Sequence, residues 1–397
     1  MKNILILSCT AGEGHNAAAK ALLERIEKEG HRGRIVDFFG LASKKVSDQL
    51  NTSYIRMAKH TPHLFGFVYN FGVWISKHLH GGHSPVYWVC SKVAPQLLEL
   101  LQAEHFDAIL STHVFPVLAV AYLERRGHPM PPSIAVATDY TCYPFWEETT
   151  CKYFILAHDE MEEQYLKRGL PKEKLRPCGI PVSLRFLDLP SKEEARATLQ
   201  LHPNHKIHLI MGGSMGAGHM QSFTKELEQA MGKDAELIVI CGKNDTLRNA
   251  LEKHFEGNSR AHILGFTTEI PTYMAACDVL YTKPGGLTST EALVCKTPTV
   301  HTAPIPGCET YNFNFFREKG LSLPAKSQRE QIENGLRLAG DTELRRAMLH
   351  RSATRVFLAD DSKFGHSFLF RVCSWDDCSY IVSNVPLPEA LISAQLP

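Results

Sequence analysis

Two stretches of this chain, about two hundred residues apart, begin in the same way. NILILSCTAGEGH stands at residues 3–15 and KIHLIMGGSMGAGH at residues 206–219. Each gives a short apolar run, a glycine-rich loop and a helix start built from small residues. An apolar run of this length reads as a strand buried on both faces, which a parallel sheet covered by helices provides. A strand that feeds a glycine loop and then a helix is the opening of a βαβ unit. Two such openings predict two similar, doubly wound α/β domains facing across a cleft. Further apolar runs at 106–112, 133–138 and 153–157, and then at 236–241, 261–264, 278–281 and 298–302, supply the other strands. The expected division is 1–184, 185–362 and a tail, 363–397, whose stretch RVCSWDDCSYIVSNVPLPEAL has weak helical periodicity.

Composition narrows the class. With 397 residues, 44% apolar and 21% charged, the chain can bury two ordinary cores. A formal charge of +1 gives no electrostatic case for nucleic acid. The first apolar run is too short for the core of a signal peptide, and no stretch reaches the length of a membrane span. Eleven cysteines without CxxC spacing are expected as ordinary thiols of a reducing, cytoplasmic compartment. No Cys/His cluster has zinc spacing.

The chemistry concentrates between Tyr281 and Asn312, YTKPGGLTSTEALVCKTPTVHTAPIPGCETYN. After a strand, Pro284-Gly285-Gly286 turns the chain into a helix expected to start near Thr288. Unpaired N–H groups at such a start, from Gly285, Gly286, Leu287 and Thr288, suit a diphosphate. Thr288-Ser289-Thr290-Glu291 also fits a capping box, in which Glu291 would only bond the Thr288 backbone. One strand later, Pro304-Ile305-Pro306-Gly307-Cys308-Glu309 brings a second carboxylate and then Asn312 to another helix start. Carboxylates beside a phosphate-attracting turn suit a sugar nucleotide, whose hydroxyls donate to them. Gly213, Ser214, Met215 and Gly216 supply a further anion-binding loop. A rival lies at the N-terminus, where Gly12-x-Gly14-x-x-Ala17 with Asp37 about twenty residues on matches the dinucleotide fingerprint of an NAD-dependent oxidoreductase. Three residues between strand and first glycine make that loop long for a pyrophosphate.

Gly12-Glu13-Gly14-His15, Gly212-Gly213-Ser214-Met215-Gly216-Ala217, KPGGLTSTEAL and PIPGCETYN, in this order along the chain, resemble motifs of the processive diacylglycerol glycosyltransferases and plant-type monogalactosyldiacylglycerol synthases. These glycosyltransferase family 28-like proteins are relatives of the peptidoglycan transferase that makes lipid II. The resemblance spans about residues 1 to 360 and implies the GT-B fold, two Rossmann-like domains across a cleft, with a C-terminal segment that often crosses back to the first domain. It implies a UDP-hexose donor held by Gly14, Gly213 to Gly216, Phe266 (through its backbone, on uracil), Gly285 to Thr288, Glu291, Glu309 and Asn312. It also implies a lipid acceptor, diacylglycerol or, in the lipid II-type alternative, a prenyl-diphosphate sugar. Two positions depart from the pattern. Cys308 stands where relatives often have Gln, and Tyr143 stands where many have His in TDxxxHP, leaving the hexose open between glucose and galactose.

Transfer builds negative charge on the departing diphosphate, and no D-x-D pair is present to hold a metal ion for it. Helix N-termini and backbone amides meet the same need, so no obligatory metal is expected. The acceptor hydroxyl needs a base, either His15, in the first glycine loop, or Asp139, at a strand end in Ala137-Thr138-Asp139-Tyr140. His113 is expected to line the acceptor groove. Residues 54–92, crowded with aromatics that include Phe65, Phe67, Trp74 and Trp88 and interleaved with Arg56, Lys59, Lys77 and Lys92, read either as a helical excursion with an aromatic core or as a surface dipping into an anionic bilayer. The expected activity is inverting hexose transfer from UDP to diacylglycerol at the inner face of the cell membrane. A catalytically idle UDP-sugar sensor is the alternative outside enzymology.

Overall fold

The computed structural model describes residues 1–9, 13–45, 47–49, 52, 57, 61, 64, 66–67, 71–72, 74–75, 83–212, 220–323, 325, 327–351, 356–359 and 380–383. Among them lie two large parallel sheets. The first holds β1 (Asn3–Ser8), β2 (Arg32–Asp37), β3 (Ala108–Ser111), β4 (Ser133–Val136), β5 (Tyr153–Ile155) and β6 (Leu175–Arg176), in the order β2-β1-β3-β4-β5-β6. The second holds β7 (Lys206–Met211), β8 (Ala235–Ile240), β9 (Ala261–Leu264), β10 (Val279–Thr282) and β11 (Thr299–His301), in the order β11-β10-β7-β8-β9. Leu5, Leu7, Ile109 and Phe154 of the first sheet and Ile207, Leu209, Ile238 and Leu280 of the second are fully or almost fully buried, as strands covered on both faces require. A separate parallel pair joins Val356–Ala359 to Tyr380–Ser383 in the C-terminal part of the chain.

Several strands run shorter than the apolar pattern suggests. Regular pairing of β3 ends at Ser111 and of β4 at Val136; past these carboxyl ends Thr112 and His113 pack against His15, and Thr138 and Asp139 meet Gly286 and Asn312 of the second domain. Helices also start early. α1 (Glu13–Lys28) takes in Gly14 and His15, so His15 stands in its first turn and not in the preceding loop. Glu13 places a negative charge at that helix's positive end.

The domains share apolar packing. Leu287, Phe315, Phe316 and Leu321 of the second half join the same buried cluster as Leu118, Tyr140, Cys142 and Phe154 of the first. Polar contacts between the domains border it: Lys243 Nζ reaches Glu13 Oε1 at 2.6 Å, and Lys319 pairs with Glu160.

Within the second domain one buried carboxylate organises the start of the sheet. Asp278 accepts from Lys192 Nζ at 2.6 Å, Arg196 Nη2 at 2.8 Å and the Ile207 amide at 2.7 Å. Arg196 is itself buried and donates to the Ala276 and Pro203 carbonyls. Removing the acid strands a buried guanidinium, which costs far more than a surface pair. Asp278→Ala is expected to lower the unfolding free energy by about 3–5 kcal/mol in urea titrations, and Asp278→Asn, which keeps one acceptor, by less.

Candidate active site at the meeting of the two domains

In an open parallel sheet, the crevice opens at the carboxyl ends of the strands where the winding direction reverses. In the first sheet the chain runs from β1 out to β2 and returns to the other side as β3, so the reversal lies between β1 and β3. In the second it lies between β7 and β10. The residues that follow these strands are therefore the ones to inspect.

After β1 comes His15, and after β3 comes Thr112-His113. The two imidazoles meet edge to face with ring centroids 4.6 Å apart. His15 Nδ1 lies 2.8 Å from the Thr112 carbonyl and 2.9 Å from Thr138 Oγ1. A carbonyl oxygen only accepts, so Nδ1 carries the proton and Nε2 is left with a free lone pair. Burial, opposed only by the Thr112 bond, lowers the His15 pKa to about 4, which keeps the ring neutral at physiological pH. His113 caps the helix Val114–Arg125 by accepting from the Phe115 amide at 3.3 Å. Burial, helped by the neighbouring His15, also holds it neutral.

After β10 comes Lys283-Pro284-Gly285-Gly286. The helix Gly286–Val294 starts two residues before Thr288, with Gly285 as its N-cap and no side-chain cap. Glu291 therefore stands in the second turn, and the expected capping box does not form. The N–H groups of Gly286, Leu287 and Thr288 have no intrahelical acceptor and form the positive end of the helix. The tight glycine turns out to face protein: a Cβ on Gly286 would lie 2.0 Å from the Thr138 carbonyl oxygen, whereas Gly285 faces open space. Leu287 puts its side chain into the shared apolar cluster. Glu291 is half-buried with no hydrogen-bond partner among the described residues, and burial raises its pKa to about 8.

The second acidic motif is occupied. Glu309, buried in the helix Cys308–Glu318, pairs with Lys283 Nζ through Oε1 and accepts from the Ile305 amide through Oε2 at 2.9 Å. Burial opposes charge on Lys283, but the Glu309 carboxylate outweighs it and keeps the ammonium firmly protonated. Asn312, fully buried, donates from Nδ2 to Asp139 Oδ1 at 2.6 Å and to the Pro284 carbonyl at 3.0 Å, and accepts on Oδ1 from the Tyr140 amide at 2.7 Å. Asp139 Oδ2 accepts from Tyr143 Oη at 3.2 Å. Both oxygens of Asp139 are thus bonded inside the domain junction, whereas Nε2 of His15 is not committed to either of that ring's bonds. Burial raises the Asp139 pKa to about 6 despite the Asn312 and Tyr143 bonds.

Other expected positions fall in different places. Phe266 follows β9 at the same carboxyl edge and is 65% exposed. Gly14 sits in the first turn of α1 with open space beside it. Gly213, Ser214, Met215, Gly216 and Phe65 lie outside the described residues, as does Gly12. Asp37, the acid of the dinucleotide fingerprint, caps the helix Phe38–Ala42 by accepting from the Gly40 amide at 2.9 Å and also accepts from Ser47. Phe67, Trp74 and Trp88 are each more than half exposed, and Phe67, Phe71 and Trp74 stack in a ladder with centroids 6.3 and 5.9 Å apart. A Cβ on Gly66 would lie 2.6 Å from Pro306 Cβ, so this aromatic segment abuts the loop that carries Glu309. Among the described residues no helix is long and apolar enough to cross a membrane.

Sequence reasoning missed Lys283 and Thr138. Lys283 had a signal, a cation set between a buried strand and Pro-Gly-Gly. Thr138 had only its closeness in the chain to Asp139. Tyr143, noted in the sequence only as a departure from the TDxxxHP pattern, donates a hydrogen bond to Asp139.

The raised pKa of Asp139 has a stability consequence. Its ordinary value is 3.8 and its folded value about 6, so the protonated form is favoured by folding. The ionised form then costs stability, the cost growing as pH rises from 3.8 and becoming complete above 6, on the order of 3 kcal/mol. Asp139→Asn keeps an acceptor for Asn312 without the charge. It is expected to raise the melting temperature more at pH 8 than at pH 5, which thermal melts at the two pH values check.

Comparison with known proteins bears on the family and the fold. Residues 15–182 match the family model for monogalactosyldiacylglycerol (MGDG) synthase, and residues 218–355 match that for glycosyl transferases group 1. The processive diacylglycerol beta-glucosyltransferase of Bacillus licheniformis is 29% identical over 346 residues, covering 86% of this chain and 87% of that protein. Its Bacillus subtilis namesake is 28% identical over 360 residues, covering 89% and 90%. Among solved structures, MurG of Acinetobacter baumannii superposes with a TM-score of 0.55 at 13% identity, over 89% of this chain and 94% of that one. The UDP-GlcNAc 2-epimerase of Neisseria meningitidis, bound to UDP-GlcNAc, superposes with 0.54 at 14% identity, over 88% and 94%. These structural likenesses concern the fold alone, which is GT-B. The chain is a glycosyltransferase whose first domain is similar to the monogalactosyldiacylglycerol synthases and whose second is similar to the group 1 glycosyl transferases.

Proposed function

We propose that this transferase moves glucose or galactose from its UDP carrier to the free hydroxyl of diacylglycerol, with inversion, to give a β-glycolipid. The observation that carries the reading is the placement of His15. Its Nδ1 proton is committed to the Thr112 carbonyl, so Nε2 is the nitrogen able to accept a proton, at one sheet's reversal point. The unpaired amides of Gly286, Leu287 and Thr288 stand at the other.

In this reading the acceptor hydroxyl gives its proton to His15 Nε2 as its oxygen attacks the anomeric carbon opposite the UDP. The bond from that carbon to the β-phosphate oxygen breaks and its electron pair stays on the diphosphate. The amides of Gly286 to Thr288, with the positive helix end behind them, offset that charge. Gly14 and the loop Gly213, Ser214, Met215 and Gly216 complete the diphosphate grip, and the Phe266 backbone holds uracil. Glu291, with no protein partner among the described residues, takes the ribose hydroxyls, and Glu309 takes a hexose hydroxyl. No metal ion is needed in this scheme, because helix amides hold the diphosphate. His113 borders the acceptor side next to His15.

The acceptor is a lipid, so the enzyme works at a surface. The exposed ladder of Phe67, Phe71 and Trp74, with Trp88 on the helix Pro85–Ser91, supports peripheral docking at the anionic inner face of the cell membrane. Names of the relatives support the donor and acceptor classes.

The direct test gives the protein radiolabelled UDP-glucose or UDP-galactose with diacylglycerol micelles. Lipid-soluble label is expected from one of the two and a chelator is expected to leave the rate unchanged. His15→Ala should lower kcat by roughly two to four orders of magnitude while UDP still raises the melting temperature. A complete absence of lipid-soluble product with every UDP-hexose would refute the reading. For the surface, flotation with vesicles containing phosphatidylglycerol should recover the protein, and Phe67→Ser with Trp74→Ser should reduce recovery severalfold. Equal recovery would remove the aromatic ladder from the docking surface.

A further inference from the structure

Asn312 was expected among the groups that hold the donor sugar, yet its surroundings are made of protein. A carboxamide has two N–H donors and one carbonyl acceptor. Both donors are engaged, one with Asp139 Oδ1 at 2.6 Å and one with the Pro284 carbonyl at 3.0 Å. The acceptor takes the Tyr140 amide at 2.7 Å. The side chain has no exposed surface. Two of these partners belong to the first domain and the third to the loop that leads into the diphosphate-facing helix.

The neighbouring contacts point the same way. The Thr138 carbonyl sits where a side chain on Gly286 would have to go. Tyr140 Oη pairs with Thr290 Oγ1 at 2.9 Å, and the Tyr140 ring stacks on Phe315 at 4.7 Å and meets Phe316 edge-on at 5.0 Å. Residues 138–140 are thus seated as a unit between the helices Gly286–Val294 and Cys308–Glu318. Thr138 is also the residue whose hydroxyl touches His15 Nδ1.

We propose that Asn312 is a positioning residue that clamps Asp139 and Tyr140 of the first domain to the donor loop of the second, fixing the separation between His15 and the amides of Gly286 to Thr288. The inference rests on the transferase reading for its kinetic consequence and on geometry alone for its structural one. Asp139 acts in the clamp as the acceptor of Asn312, and the proton of the acceptor hydroxyl goes to His15.

The test uses the full chain and three variants. Asn312→Asp removes both N–H donors and sets a carboxylate against Asp139, so the pair holds its contact only by sharing a proton. The charged and titratable groups facing it are Asp139, Glu309, Lys283, Tyr143 and Cys308. At pH 7.5 the variant is expected to lose kcat by about thirtyfold or more, with KM for the UDP-hexose changed less than about threefold. Part of the loss returns near pH 5.5, relative to the unsubstituted protein. Small-angle scattering should show a larger radius of gyration for this variant at pH 7.5 than at pH 5.5, whereas the unsubstituted protein stays constant.

Asp139→Asn alone should lower kcat less than about tenfold, because the Asn312 bond survives, whereas loss of the proton acceptor would cost far more. The double variant Asp139→Asn with Asn312→Asp restores one cross-domain donor and acceptor and should recover at least about tenfold over Asn312→Asp. A UDP-induced rise in melting temperature confirms that each variant is folded.

Three results would overturn the proposal: a KM rise of tenfold or more with kcat intact, which marks a direct sugar ligand; strictly multiplicative effects in the double variant; or an unchanged radius of gyration. If the unsubstituted protein transfers no hexose, the transferase reading fails, while scattering still decides the clamp.

Discussion

The structure depends on the seating of Thr138, Asp139 and Tyr140 of one domain against the glycine turn and two helices of the other. Everything at the cleft is referred to this contact. Gly286 lacks a side chain because the Thr138 carbonyl lies where it would be, and Leu287 and Phe315 extend the first domain's core into the second. The junction combines apolar packing, which is indifferent to direction, with the Asn312 bonds, which are not. The first supplies most of the attraction and the second selects one register between the domains.

Charge at the junction is balanced in a way that leaves little to solvent. Lys283 lies against Glu309, with Asp139 close enough to feel both. Burial would expel each charge if it stood alone, so the ammonium and the carboxylate persist because they stand together. Asp139 is the weakest member of this set and titrates near neutrality. His15 lies outside the ion pair and stays neutral through burial, which is what a proton acceptor at physiological pH requires. Acidic side chains and a phosphate-attracting helix end can share a cleft because sugar hydroxyls and a diphosphate are different parts of one donor.

Much of the fold is legible in the residues, because parallel strands buried on both faces leave runs such as Ile207 to Met211 and Leu237 to Cys241 that no surface element would tolerate. β6, two residues long, carries no such run and is not legible. The ends of β3 and β4 are misread, since the β-branched Thr112 and Thr138 extend the strand-like run while regular pairing has already ended at Ser111 and Val136. The glycine turn at Gly285-Gly286 is legible as a place of close approach, but what approaches Gly286 is a carbonyl from the other domain. A local pattern cannot name a partner nearly 150 residues away in sequence, as Thr138 is to Gly286. The same holds for Asn312, whose letter suits a sugar hydroxyl and a carboxylate equally well. The capping-box pattern at Thr288 to Glu291 shows the converse: the spacing is correct, but the helix begins two residues earlier, and the pattern then has nothing to cap.

The imidazole of His15 takes its tautomer from the backbone oxygen of residue 112, a group that every amino acid carries. Side-chain replacement at that position cannot delete it. The polarity of the ring is therefore insulated from mutational drift in its own support, so long as the β3 edge keeps its path, and selection there acts on the course of the chain more than on the letter.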